Sequence, residues 1–205
     1  MLKGKVKVGI LISGRGSNME SILKKAKGGE IPAEVVVVIS NNPWAPGLKK
    51  AEEFGVPTVV INHRKFSTRE DFERALVSEL KSRGVELVCL AGFMRILSPV
   101  FIREFPNKIM NIHPSLLPAF PGVNVHIRVL ESGAKFSGCT VHFVTEDVDG
   151  GPIIIQAVVP VLDDDTEETL AARVLAEEHR IYSEAIRLFA EGKLEIRGKR
   201  VIWKE

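Results

Sequence analysis

Short apolar runs rich in β-branched residues alternate with helical patterns through the first half of the chain. The apolar runs lie at residues 5–12, 34–39, 58–61, 87–91 and 108–113, and the helical patterns lie at 18–27, 47–54, 68–83 and, as a short helix, near 98–105. Strands that are apolar on both faces and joined by helices are typical of a parallel sheet covered by helices on both sides. The alternation therefore predicts a doubly wound, Rossmann-like α/β fold.

The second half has a different pattern, which predicts a C-terminal extension with antiparallel strands. Residues 136–145 and 153–161 have the pattern of longer strands in which polar Thr140, His142 and Gln156 stand among apolar neighbours. A long helix is predicted from about 167 to 190, followed by a hairpin of 194–196 and 201–203. Because no internal repeat interrupts the chain, we expect one domain over 1–205.

Charge and cysteine usage exclude several classes of protein. The 28 Lys and Arg residues nearly balance the 26 Asp and Glu residues, and no basic block is present, which argues against a partner that is a nucleic acid or a membrane surface. No apolar run approaches the roughly 18 residues of a membrane helix, and 8–12 is too short for a signal peptide. Cys89 and Cys139 indicate reduced core thiols in a cytoplasmic protein.

The first predicted strand ends in a glycine-rich turn whose candidate phosphate-binding residues are Gly14, Arg15, Gly16, Ser17 and Asn18. The glycines let backbone N–H groups approach an anion, and the following helix adds unpaired donors. A dinucleotide site is disfavoured, because Met19 replaces the third glycine of that motif and no acid stands at 40–42. The turn favours a phosphate monoester; a tight turn without a ligand is the alternative.

The fourth predicted strand leads into an apolar segment with one cation, made of Met94, Arg95, Ile96 and Leu97. Doubly wound sheets bind ligands at the carboxyl ends of their strands. These side chains therefore form either an apolar slot for a flat aromatic ligand or part of the core beneath a loop.

The fifth predicted strand ends in Asn111 and His113, which strand alternation places on one face. An amide donor beside an imidazole suits acyl-type transfer, since one stabilises a developing oxyanion and the other handles protons. Asp149 is a further candidate, although the acidic run around it is also typical of a solvated turn. The histidines have no zinc-binding spacing and no calcium-loop pattern is present, so no metal is expected.

Four segments together resemble the glycinamide ribonucleotide formyltransferases, a folate-dependent family of purine synthesis. They are SGRGSN, AGFMRILSP, NIHPSLLPAFPG and VHFVTEDVDGGPIIIQ, in order along roughly residues 6–190. The resemblance implies transfer of a formyl group from the co-substrate 10-formyltetrahydrofolate to the amine of 5′-phosphoribosylglycinamide, without a metal. It also implies a nucleotide-phosphate-binding half at 1–100 and a folate-binding, catalytic half at 101–205.

The same resemblance assigns roles to individual residues. Asn111 resembles the oxyanion donor, His113 its neighbour and Asp149 the carboxylate that relays protons. Gly14 to Asn18 resemble the loop for the substrate phosphate, and Glu178 the residue that holds the ribose hydroxyls. The residues that match the walls of the folate pocket are Met94, Arg95, Ile96, Leu97, Thr145, Glu146 and Asp147. His142 matches a histidine behind the catalytic group.

Three positions depart from the family pattern, namely Asn124, Val129 and Leu175, so the support behind His113 and near the phosphate is expected to differ.

Methionyl-tRNA formyltransferases and formyltetrahydrofolate hydrolases share the core, but each adds a domain that this chain is not expected to carry. A nicotinamide-dependent reductase would need a glycine at position 19 and an acid near position 40, and this chain has neither. A non-catalytic phosphoribosyl-binding module remains the alternative function. The sequence is compatible with a homodimer and does not decide the oligomeric state.

Overall fold

The computed structural model describes residues 4–204. The strands in this range are β1 (Val6–Ile12), β2 (Ala33–Ser40), β3 (Thr58–Val60), β4 (Leu87–Leu90), β5 (Ile109–His113), β6 (Phe136–Phe143), β7 (Ile153–Pro160), β8 (Leu194–Arg197) and β9 (Arg200–Trp203). The α-helices are α1 (Ser17–Lys27), α2 (Pro46–Glu53), α3 (Arg69–Ser82), α4 (Pro99–Glu104), α5 (Val125–Ser132) and α6 (Glu167–Ala190). A 3₁₀ helix covers His63–Lys65.

These strands form one sheet in the order β3-β2-β1-β4-β5-β6-β7-β9-β8. The first five strands pair in parallel, whereas β6 runs antiparallel to β5 and β7 runs antiparallel to β6. The predicted fold class is confirmed, because a parallel, doubly wound sheet carries a mixed C-terminal extension and a long C-terminal helix.

Helices cover both faces of the sheet. Alternate residues of β1 contribute to opposite layers: Ile10 packs in the core that includes α1, α2, α5 and α6, and Leu11 packs in the core that includes α3 and α4. Both side chains are fully buried. Burial on both sides explains why the parallel strands are almost continuously apolar in sequence.

The fully buried Tyr182 ties α6 to the two strands that lead into the candidate site. Its hydroxyl oxygen lies 2.9 Å from the Leu90 carbonyl oxygen at the end of β4 and 3.0 Å from that of Met110 in β5. Burial raises the pKa of Tyr182 well above its ordinary value, so the hydroxyl keeps its proton as a donor.

Cys89 and Cys139 are free and buried, and burial raises the pKa of each thiol to about 12.

Helix α5 and the 3₁₀ helix were not expected from the sequence. Helix α5 has eight residues, of which Val125 and Val129 are buried. Two apolar contacts over such a short segment give little helical periodicity. Asn124 precedes the helix with φ 54°, and Gly133 ends it with φ 71°, both in the left-handed region.

Substitution of Gly138 in β6 tests how closely the residues beneath the site are packed. A Cβ atom at this position would overlap the Ala157 carbonyl oxygen of β7 and lie 2.8 Å from Leu116 Cδ2. We expect Gly138→Ala to lower the free energy of unfolding by about 1–3 kcal/mol in chemical denaturation. Gly4→Ala is the control, because its Cβ would meet nothing within 4 Å; we expect a change below about 0.5 kcal/mol. Equal losses in the two variants would contradict this packing.

Candidate active site

The two glycines of the turn between β1 and α1 have different surroundings. Gly16 precedes α1 with φ 69°, in the left-handed region, and no side chain caps the helix N-terminus. A Cβ at Gly16 would also lie 3.1 Å from Gly47 Cα, whereas a Cβ at Gly14 would meet nothing within 4 Å. The backbone therefore requires glycine at 16, and the space beside Gly14 lets a ligand approach. Arg15 is exposed and Ser17 is half-buried.

Ser13, which the sequence did not single out, connects three strand ends. Its hydroxyl donates to Asn41 Oδ1 at 2.6 Å and accepts a hydrogen bond from the Met94 backbone N–H at 2.8 Å. Its backbone N–H donates to the Gly92 carbonyl oxygen at 3.1 Å. The glycine-rich turn and the segment after β4 are therefore held together at the carboxyl edge of the sheet, as the fold class predicts.

Asn18 and Glu178 meet between α1 and α6. Asn18 Nδ2 donates to Glu178 Oε2 at 2.8 Å, and both side chains are buried. Burial raises the pKa of Glu178, and the hydrogen bond from Asn18 opposes that shift. Asn18 Oδ1 is buried without a hydrogen-bond partner, so this amide can still accept a hydrogen bond.

His113 lies between a carbonyl group and a carboxylate. Its Nε2 is 2.9 Å from the Phe120 carbonyl oxygen, and its Nδ1 is 3.6 Å from Asp149 Oδ1. Because a carbonyl oxygen only accepts, Nε2 carries the proton of a neutral ring, and Nδ1 is where a second proton is gained or lost. The backbone N–H of Gly122 donates to Asp149 Oδ2 at 2.8 Å and orients the carboxylate.

His142 orients Asn111 from the neighbouring strand. The two residues are directly paired in the β5–β6 register, and Asn111 Nδ2 lies 3.4 Å from His142 Nε2. His142 Nδ1 lies 2.9 Å from the Phe143 carbonyl oxygen and therefore carries the ring proton. Burial lowers the pKa of His142, although the Phe143 carbonyl and Asp149 raise it. A neutral ring accepts one Asn111 hydrogen at Nε2, and the other remains free to donate.

The segment that carries Asp149 is a tight turn. The Gly150 backbone N–H donates to the Asp147 carbonyl oxygen at 3.1 Å, and Asp149 itself has φ 53°. Thr145 is half-buried, while Glu146 and Asp147 are exposed, and Glu146 lies 3.7 Å from Arg103. The sequence left open whether this acidic run is only a solvated turn. Asp149 is the one acid of the turn that reaches His113.

The segment after β4 presents apolar side chains to solvent. Met94 is 75% exposed and Ile96 is 60% exposed, whereas Leu97 is buried in the core. Arg95 is half-buried. Leu97 therefore belongs to the core beneath the loop, whereas the apolar slot for a flat ligand stays a prediction. A crevice of about 460 Å³ runs along this segment and the end of β1, lined by residues that include Ser13, Trp44, His63, Met94 and Arg95.

Glu73, a buried acid that the sequence did not identify, fixes the far end of this segment. Its carboxylate accepts hydrogen bonds from the backbone N–H of Ser98 at 2.8 Å, from the Ser98 hydroxyl and from Arg69 Nε at 3.2 Å. Ser98 is the residue before α4. An acidic residue inside an amphipathic helix gives no sequence signal of burial, and Ser98, its partner from outside the helix, lies 25 residues further along the chain.

Within residues 4–204, the structure brings the candidate residues together in two groups. One is Asn18 with Glu178; the other is Asn111, His113, His142 and Asp149. No hydrogen bond or ion pair joins the two groups. A donor, an imidazole and a carboxylate at one place are able to stabilise an oxyanion and move a proton.

Residues 6–186 match the model of a protein family described as formyl transferase. The chain belongs to the formyl transferase family. It is 44% identical over 187 residues to phosphoribosylglycinamide formyltransferase of Escherichia coli strain K12, with 91% of this chain and 88% of that protein covered. The crystal structure of glycinamide ribonucleotide transformylase 1 from Symbiobacterium toebii is 52% identical with a TM-score of 0.97, and 98% of this chain and 95% of that chain are covered.

Members of the formyl transferase family also occur inside longer proteins. The trifunctional purine biosynthetic protein adenosine-3 of Gallus gallus is 49% identical over 201 residues, which are 98% of this chain and 20% of that protein. The chain therefore spans about a fifth of the length of the trifunctional relatives that it matches. Among the helices that the structure describes, none combines the length and apolarity needed to cross a membrane.

The buried Glu178 of this formyl transferase family member should lower its stability at neutral pH. Its pKa is raised in the folded protein, so the native state is favoured at low pH and this stabilisation is lost as the pH rises through the folded pKa. We expect Glu178→Gln to raise the free energy of unfolding relative to the parent, by an amount that grows as the pH increases above about 4.5.

Denaturation at a series of pH values measures this difference. Glu177→Gln is the matched control, because its side chain is 32% exposed and paired with Arg180 on the same helix. The control should change stability by less than about 0.5 kcal/mol. A difference between Glu178→Gln and the parent that does not vary with pH would refute the buried-charge interpretation.

Proposed function

We propose that this chain transfers a formyl group from 10-formyltetrahydrofolate to the amine of 5′-phosphoribosylglycinamide, a step of de novo purine synthesis. The observation that carries the proposal is the convergence of Asn111, His113 and Asp149 within a chain of the formyl transferase family. The Escherichia coli and Symbiobacterium toebii relatives, whose lengths the chain covers almost completely, are named for the same substrate, and this supports the proposal.

Attack of the substrate amine on the formyl carbon would turn the formyl oxygen into an oxyanion. The free hydrogen of Asn111 Nδ2 is the donor for that oxyanion, because His142 already takes the other hydrogen. A protonated His113 beside it adds a positive charge. Both groups act on charge that exists only after the attack, so they stabilise the transition state more than the bound substrates.

The attacking amine must lose a proton, and the departing folate nitrogen must gain one. Asp149 is the base of this proposal and passes the proton through a water molecule, since its Oδ1 faces His113 while its Oδ2 is held by the Gly122 N–H. The new C–N bond forms in the attack, and the bond to the folate nitrogen breaks when the tetrahedral intermediate collapses. The one proton that the amine loses equals the one that the folate nitrogen gains, so the proton count is unchanged over the reaction.

The substrates would occupy the two sides of this centre. The turn of Gly14 to Asn18 is proposed to bind the substrate phosphate through backbone N–H groups, and Glu178 to bind the ribose hydroxyls. The exposed Met94 and Ile96 support an apolar ligand beside the segment after β4, with Thr145, Glu146 and Asp147 as the opposite wall. Leu97 would contribute through its main chain, because its side chain is buried.

A direct assay tests the proposal: the protein is mixed with glycinamide ribonucleotide and 10-formyltetrahydrofolate, and loss of the formyl donor is followed. We expect turnover that requires both substrates, and no oxidation when NADH or NADPH replaces the folate. Binding of the ribonucleotide without turnover would instead favour a non-catalytic phosphoribosyl-binding module.

Asp149→Asn keeps the size of the side chain but removes its charge and its function as a base. We expect kcat to fall by about two to four orders of magnitude with KM little changed. Because the two groups act as a unit, combining it with His113→Ala should cost much less than the product of the single losses. If Asp149 only stabilised a turn, the variant would lose thermal stability and keep its kcat, which would contradict the mechanism.

The proposed activity should not require a metal ion. Among residues 4–204, no three His, Cys, Asp or Glu side chains converge in a way that could hold one. We expect full turnover after treatment with EDTA and removal of the chelator. Activity that is lost on chelation and restored by zinc or magnesium would overturn this prediction. A cytoplasmic location, a homodimer and the absence of a nucleic-acid partner likewise stay predictions.

A further inference from the structure

Residues 120–123, which we name the strap, touch both members of the His113–Asp149 pair. The Phe120 carbonyl oxygen lies 2.9 Å from His113 Nε2, and the Gly122 N–H donates to Asp149 Oδ2 at 2.8 Å. The strap therefore determines which ring nitrogen faces the carboxylate and how the carboxylate is turned. A change in the strap would move both groups at once.

The strap has a backbone conformation that needs external support. Phe120 has φ 52° and Gly122 has φ 83°, and Asn124 directly after the strap has φ 54°. A left-handed conformation costs a residue with a side chain about 1–2 kcal/mol, and it persists only where neighbouring groups hold it. Burial holds only the first residue of this segment: Phe120 is half-buried against the core, whereas Pro121, Gly122 and Val123 are exposed.

Arg128 supplies contacts to three of the four strap residues. Its Nη1 donates to the Pro121 carbonyl oxygen at 2.6 Å and to that of Val123 at 3.2 Å. Its guanidinium carbon lies 5.8 Å from the centroid of the Phe120 ring, a cation–π distance. Ser115 fixes the near end of the strap through hydrogen bonds from its hydroxyl to the Ala119 and Phe120 carbonyl oxygens.

We propose that Arg128 is a positioning residue for formyl transfer, because it holds the strap that orients His113 and Asp149. The inference rests on the proposed function. Arg128 acts on His113 and Asp149 only through the strap, to which it donates two hydrogen bonds.

Three substitutions separate positioning from simple packing. Arg128→Met keeps the apolar stem and removes the donors and the charge, and we expect kcat to fall about ten- to hundredfold with both KM values within about threefold. Arg128→Lys keeps a cation whose single nitrogen can donate to both carbonyls, and should recover most of kcat. Arg173→Met is the matched control, since Arg173 donates to the Pro160 carbonyl and pairs with Asp165 away from the site; its kcat should be unchanged.

A second measurement does not depend on turnover. In nitrogen-edited NMR, with His113→Gln used to assign the signal, the Nε2–H of His113 should exchange slowly with water in the parent and at least about tenfold faster in Arg128→Met. If the unsubstituted protein does not transfer a formyl group, the proposed function is refuted. The exchange rate of the His113 Nε2–H would still test whether Arg128 holds the strap. An unchanged kcat and exchange rate in Arg128→Met, or equal losses of kcat in Arg128→Met and Arg173→Met, would overturn the proposal.

Discussion

The register between β5 and β6 is the constraint on which the candidate site depends. Asn111 pairs directly with His142, and His113 with Thr140, so four polar side chains project from one face of two adjacent strands. The opposite face, with Met110 and Val141, is buried in the core. A slip of one residue would exchange the faces, moving the polar side chains into the apolar core and the apolar side chains into the candidate site. Core packing and the arrangement of the candidate site therefore select the same register.

Backbone carbonyl groups then decide how the two histidines present their nitrogens. The Phe120 carbonyl oxygen accepts a hydrogen bond from Nε2–H of His113, and the Phe143 carbonyl oxygen accepts one from Nδ1–H of His142. Each carbonyl leaves the other ring nitrogen facing a functional group, Asp149 in one case and Asn111 in the other. Histidines alone would allow either tautomer, so the chemistry depends on main-chain groups that no residue type reveals.

Periodicity predicted most of the fold, because each signal is local. The strands and helices that were predicted agree with the structure within two residues at each end, including the helix Glu167–Ala190. Helix α5 was missed since it buries only Val125 and Val129. In the site, alternation placed Asn111 and His113 correctly, whereas Ser13, Glu73 and Arg128 act through partners far along the chain or through main-chain atoms. Such contacts have no signature in a single sequence.

The site also concentrates conformations and charges that a protein selected only for stability would avoid. Phe120 and Asp149 both have positive φ values, and Glu178 is a buried carboxylate. Each feature lowers stability on its own. The sheet with helices on both faces can carry these costs because its core is continuous beneath the site, with Tyr182 joined to the ends of β4 and β5. The strained residues are consequently held by packed neighbours, which would let the proposed reacting groups keep one arrangement before substrate binds.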